Sequence, residues 1–285
     1  MHPDPMTLEH DVATPIRFAG LAGRLRGDPA AGGTPVVLLH GLTFDRRMWD
    51  PTIAALPGNR CVLALDLPGH GGSPDIAGRG LAPAAEAIHA AVEDAGLGRP
   101  VIAGHSIGGP LASIYASEHD IAGVVSIEAP VRFEGFAEGL RALAPLLAGP
   151  GFEEGWQPFR DSFGLPLLTA EQRELLRAGD RPSAEVILRY QADLLERPID
   201  DVVRWRDGAI ARVRDRRTPY VALFANDIEP EDRAWLRERL PQAEVLVWPV
   251  RHHFPHVAEP ERFAGLLEDM ATRADGGHVT RAQAS

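Results

Sequence analysis

The sequence predicts an α/β fold, with a mostly parallel central sheet flanked by helices. Two observations carry this expectation. Six short runs of Val, Leu, Ile and Ala close on polar or glycine-rich residues, and helical patterns separate most of them. A run that is apolar at nearly every position belongs to a strand buried on both faces, and strands alternating with helices build parallel sheets. A third observation sets the outline: between about Val131 and Arg217 the alternation stops and only helical patterns remain.

In chain order, strands are expected at 35–40, 61–66, 100–105, 121–128, 220–225 and 244–248, with helices at 82–95 and 230–240 among the connections. The strand at 100–105 runs into Gly104-His105-Ser106-Ile107-Gly108, after which Leu111, Ile114 and Tyr115 keep helical spacing. Pro110 fits that helix because it falls in the first turn, where N–H groups have no intrahelical acceptor. Within the break, Phe136, Leu140, Leu143 and Leu147 share one helical face, as do Trp156, Phe159 and Phe163. Thr169-Ala170-Glu171-Gln172 has the form of a capping box. The expected organisation is a core from 1–130 and 218–274, a helical lid insertion at 131–217, and a small, polar, disordered tail at 275–285. The lid aromatics are expected to divide between packing the lid on itself and lining an apolar pocket.

Composition narrows the function classes. A chain of 285 residues with 45% hydrophobic content is long and apolar enough for a sizeable core. A net charge of −11 argues against a nucleic-acid partner and against docking on an anionic membrane. Cys61 is the single cysteine, so no internal disulfide can form, and its apolar run makes it a small buried hydrophobe. The first fifteen residues contain Asp4, Glu9 and Asp11 and no sustained apolar run, so no signal peptide is expected; nor does any segment approach the length of a membrane span. The expected location is cytoplasmic. Oligomeric state is not legible.

Ligands of open α/β sheets bind at the carboxyl ends of the strands. His40, Asp66, Ser106, Glu128 and Asp227 all lie at or just beyond such ends. Ser106 is flanked by glycines two positions to either side, between a strand and an apolar helix. That pattern describes a sharp, strained turn presenting a hydroxyl, with the helix N-terminus directing free N–H groups and partial positive charge at it. Ser106 is therefore the candidate nucleophile.

Together with three further motifs in order, this turn resembles the α/β-hydrolase family, its serine esterase and haloperoxidase-like branch. His40-Gly41-Leu42 is similar to the family's oxyanion loop, and Asp66-Leu67-Pro68-Gly69-His70-Gly71-Gly72-Ser73 to the loop after the next strand. His252-His253-Phe254-Pro255-His256, followed by Glu259-Pro260-Glu261-Arg262-Phe263, is similar to the catalytic-histidine turn and final helix. The resemblance covers about Pro35 to Leu267. It implies His253 as the base, His252 standing where the family usually has glycine. It implies Asp227, after the penultimate strand, as the triad acid; Glu128 is the alternative, since haloalkane dehalogenases place their acid after the preceding strand. The backbone N–H groups of Leu42 and Ile107 would form the oxyanion hole. Asp66 is expected to brace its glycine-rich loop.

The chemistry implied is acyl transfer to Ser106 with His253 as general base, hydrolysing a small-molecule carboxylic ester, or a thioester or lactone. A serine rather than an aspartate at the turn argues against dehalogenase and epoxide hydrolase chemistry. No phosphate-binding Gly-x-x-x-x-Gly-Lys-Ser/Thr loop is present. His252, His253 and His256 lack helical His-x-x-x-His spacing and Pro255 interrupts them, so no metal and no cofactor is expected. The rival class is a non-catalytic or single-turnover ligand receptor on the same fold.

Overall fold

The chain enters the computed structural model, which describes residues 16–276, through a hairpin that the apolar runs did not announce. Its strands are β1 (Ile16–Phe18) and β2 (Leu21–Arg26). The expected runs follow as β3 (Val36–Leu39), β4 (Val62–Leu65), β5 (Val101–His105), β6 (Gly123–Ile127), β7 (Tyr220–Phe224) and β8 (Ala243–Val247). They form one sheet in the order β1-β2-β4-β3-β5-β6-β7-β8. The hairpin pairs antiparallel to itself and to β4; every pairing from β4 to β8 is parallel. The readings made for residues 1–15, and for the tail beyond Gly276, lie outside the described residues. Asp275, placed in the tail by the sequence, accepts hydrogen bonds from the Thr34 N–H and hydroxyl at 2.6 and 2.7 Å.

Twelve α-helices connect or follow these strands among the described residues: α1 (Asp50–Ala55), α2 (Leu81–Asp94), α3 (Gly108–Glu118), α4 (Glu134–Leu147), α5 (Phe152–Ser162), α6 (Ala170–Gly179), α7 (Ala184–Tyr190), α8 (Ala192–Glu196), α9 (Ile199–Asp215), α10 (Pro230–Arg239), α11 (Pro255–Ala258) and α12 (Pro260–Ala274). The sheet separates two cores. On one face Ile102, Val124, Ala222 and Phe224 pack with Ile88 of α2, Leu111 of α3 and Ile210 of α9. On the other, Leu38, Val125, Val221 and Leu223 pack with Ile53 of α1 and Phe263 and Leu267 of α12. Alternation along each strand produces this division, because successive side chains point to opposite faces. Helices α4–α9 fill the break in alternation between β6 and β7. The capping box forms at α6, with Thr169 and Gln172 each satisfying the other's backbone N–H. No helix among the described residues is long and apolar enough to cross a membrane.

Candidate active site

Ser106 follows β5 directly and adopts φ +52°, in the left-handed region that favours glycine. The conformation is held by its own N–H donating to the Ile127 carbonyl at 2.8 Å and its carbonyl accepting from Gly109 at 2.9 Å. A Cβ on Gly104 would overlap the Gly108 carbonyl, so strand and helix cross here as closely as backbone allows. Gly41 meets the same turn from β3, where a Cβ would lie 2.6 Å from His105 Nδ1. Three more residues at strand ends around this point share the left-handed strain: Thr43 (φ +73°), Glu128 (φ +52°) and Arg251 (φ +64°). Strain of this kind persists only where surrounding structure enforces it, and it clusters at functional sites.

His253 borders the same cavity as Ser106, as does His105. Its Nδ1 lies 3.1 Å from Glu128 Oε2, while Glu128 Oε1 accepts from the Ala225 N–H at 2.6 Å. The ring stacks on Phe163, with centroids 5.3 Å apart and planes 9° apart, and the His253 backbone N–H donates to the Phe163 carbonyl at 3.0 Å. His105 Nε2 donates to the His253 carbonyl at 2.8 Å, tying the histidine turn to the residue before Ser106. Ser106 Oγ and His253 share no direct hydrogen bond here. Such bonds are often long in unliganded sites and tighten around substrate.

The geometry places the carboxylate expected from chain order away from His253. Asp227 is 80% exposed and bonded to Arg233 and the Ile228 N–H, in the loop leading to α10. His253 Nδ1 faces Glu128 instead, whose side chain is only 16% exposed. The physical reason lies in the turn after β7: Ala225 reaches back to hydrogen-bond Glu128, and the chain then leads outward through Asp227 to the Pro230 that opens α10. His252 does not face the serine; its Nδ1 accepts from the Phe254 N–H at 3.2 Å, closing the turn.

The N–H groups of Leu42 and Ile107 have no hydrogen-bond partner among the described residues, and both residues border the cavity. The Leu42 loop is fixed from below by His40, whose Nδ1 donates to the Gly41 carbonyl at 2.8 Å while Nε2 accepts from Leu67 at 2.9 Å. Burial lowers the His40 pKa to about 4, keeping it neutral in these two roles. Asp66 takes the Arg46 guanidinium and the Arg46 and Gly72 N–H groups, bracing its glycine-rich loop. The loop is also held from above: Arg181 N–H donates to the Thr43 carbonyl at 2.7 Å, and Thr43 Oγ1 donates to Asp180 at 2.6 Å.

The cavity has a volume of about 370 Å³ and mostly apolar walls. Phe136, Leu140, Trp156, Phe159 and Phe163 of the helical segment line it, while Leu147 is fully buried in the adjoining core, so these side chains serve both purposes. No group of three or more His, Cys, Asp or Glu side chains among the described residues is placed to hold a metal ion. The bracing by Thr43–Asp180 and by Phe163 carries no sequence signal, because each contact joins segments far apart in the chain.

Comparison with known proteins agrees with the fold. Residues 36–266 match the model of the alpha/beta hydrolase family, and the chain belongs to that family. It is 26% identical over 250 residues to a pimeloyl-[acyl-carrier protein] methyl ester esterase of Neisseria meningitidis serogroup B, covering 82% of this chain and 92% of that one. A stretch of 82 residues is 42% identical to the dihydrolipoyllysine-residue acetyltransferase component of the acetoin cleaving system of Pseudomonas putida, spanning 28% of this chain and 22% of that longer protein. Among solved structures, a thermophilic esterase from Thermogutta terrifontis superposes with a TM-score of 0.69 at 23% identity, covering 92% of this chain and 99% of that one.

Proposed function

We propose that this chain hydrolyses a small-molecule carboxylic ester through an acyl-enzyme on Ser106. The observation that carries the reading is the Glu128–His253 contact on the cavity that Ser106 borders. His253 accepts the Ser106 proton as the hydroxyl attacks the carbonyl carbon, then returns it to the departing alkoxide. Glu128, held by Ala225, fixes the imidazole with its proton on Nδ1 and stabilises the imidazolium without taking that proton. The Leu42 and Ile107 N–H groups receive the tetrahedral oxyanion, aided by the N-terminus of α3. Water then attacks the acyl-enzyme by the reverse proton path. The esterase similarity over most of both chains supports an ester bond, and the apolar walls suit an apolar acyl or alkoxy group.

Intact mass after treatment with a fluorophosphonate tests the nucleophile. One adduct is expected on the wild type and none on Ser106→Ala. An adduct on the folded alanine variant, or none on the wild type, would defeat the assignment. Release of more than one equivalent of p-nitrophenol from p-nitrophenyl acetate separates an enzyme from a single-turnover receptor.

A further inference from the structure

Tyr220, Ala222 and Phe224 alternate along β7 onto one face of the sheet, and all three border the cavity that holds Ser106. In register beside them, β6 places Ser126 opposite Ala222, with Glu128 two residues further along. The cavity therefore does not stop at the catalytic residues. It continues down the sheet from the carboxyl end of β7 to its first residue, roofed by Ile210 of α9 and Leu236 of α10. Four residues of strand span about 13 Å, the reach of an extended chain of about ten carbons.

The far end of this arm is not apolar. Ser113 Oγ, one turn into α3, lies 3.0 Å from the Tyr220 hydroxyl and donates to the Gly109 carbonyl at 3.0 Å. Ser126, in register with Ala222, brings a second hydroxyl to the cavity wall beside Tyr220. With the Ser113 proton committed to Gly109, the Tyr220 proton goes to Ser113, so the Tyr220 oxygen is an acceptor for a hydroxyl in the cavity, with the Ser126 hydroxyl beside it on the lining. Arg206, the cation of the lining, is paired with Asp207 at 2.9 Å and lies between the Phe133 and Trp235 rings. No free cation therefore awaits a carboxylate at this end, and a neutral group suits the hydroxyls best.

Building on the ester-hydrolase reading, we propose that this arm holds the longer chain of the substrate and that Ser113, Ser126 and Tyr220 select a chain ending in a hydroxyl. A simple alkyl end would meet the same three groups without adding a hydrogen bond, so the discrimination is that of one neutral hydrogen bond, about fivefold.

The test compares two ester pairs: methyl decanoate with methyl ω-hydroxydecanoate, and decyl acetate with ω-hydroxydecyl acetate. One places the chain on the acyl side and the other on the alkoxy side. The wild type is expected to favour the hydroxylated member of one pair about fivefold in kcat/KM, and Tyr220→Phe to bring that ratio near one. Ser126→Ala reads the same ratio should Tyr220→Phe fail to fold. Equal kcat/KM within both pairs, or a preference that survives both variants, would overturn the selection while leaving the esterase standing. Failure to turn over any of the four esters, together with no fluorophosphonate adduct, would remove both.

Discussion

Both oxygens of the Glu128 carboxylate are occupied, one by the Ala225 N–H and the other by His253 Nδ1. Replacing the carboxylate by an amide keeps the shape but lets the amide group donate toward Nδ1, which favours the wrong imidazole tautomer. We expect Glu128→Gln to lower kcat by about ten-thousand-fold, the scale of the equivalent change in a serine protease triad. Asp227→Asn, exposed and bonded to Arg233, should stay within about twofold, since exposed ion pairs contribute little. Steady-state kinetics of the two variants on one ester decides between them, and the opposite ranking would return the role to Asp227. The sequence held both carboxylates as candidates, because each follows a strand. What it could not show is where the chain goes after β7, and that path alone turns Asp227 outward. The turn at Ser106 and the placing of His253 on the same cavity were legible because their signals are local: glycines where backbone crosses backbone, and a histidine after the last strand.

Helices α4–α9 do more than cover the cavity. The link between α6 and α7 holds the Leu42 loop through Arg181 and Asp180, and α5 hands over to Phe163, whose ring and carbonyl seat His253. The hydroxyl of Thr43 is buried and its backbone is strained, so its orientation depends on Asp180. Asp180→Ala leaves that hydroxyl without its acceptor and frees the loop that carries Leu42. We expect kcat to fall about tenfold for short and long esters alike, with KM changing less than threefold, and the melting temperature to drop by a few degrees. A change confined to KM would mean that Asp180 shapes the pocket rather than the oxyanion site. Most of the architecture was legible as six strands and the helical break, since burial on both faces leaves β3 to β7 nearly continuous apolar runs, while the half-buried β8 still reads as a short apolar run. The β1–β2 hairpin escaped for the converse reason. At the sheet edge Arg17, Arg24 and Arg26 alternate outward and Gly20 and Gly23 interrupt the run, so no continuous apolar signal remains.

At the scale of the whole molecule, five histidines are buried among the described residues, and in four of them, His40, His70, His105 and His256, the pKa is lowered furthest. Burial is the first cause in each case. It lowers the pKa of His40 to about 4 and of His70 to about 3, and holds His105 and His256 well below the ordinary value. The ring nitrogens of His256 have no hydrogen-bond partner among the described residues, and the ring packs against Trp49 at a tilt of 38°, centroids 4.6 Å apart. In the unfolded chain all four titrate near 6.5, so below that pH the unfolded state binds more protons than the folded one. Their contribution to stability is complete above about pH 6.5 and is lost as pH falls toward the folded values. Each histidine removes up to about 1.4 kcal/mol per pH unit in that window, so four together rival the whole stability of a typical domain within two units. We therefore expect the melting temperature to hold steady from pH 8 to 7 and fall steeply between pH 6 and 4.5. Unfolding in that window should take up about four protons, measured as the slope of unfolding free energy against pH. His256→Phe keeps a ring against Trp49 and removes one titrating ring together with its two unpaired nitrogens. It should raise the melting temperature at every pH and flatten the acid slope by about one proton. An unchanged slope in His256→Phe would show that this ring is protonated in place. The acid sensitivity would then have to come from the carboxylate pairs at the surface.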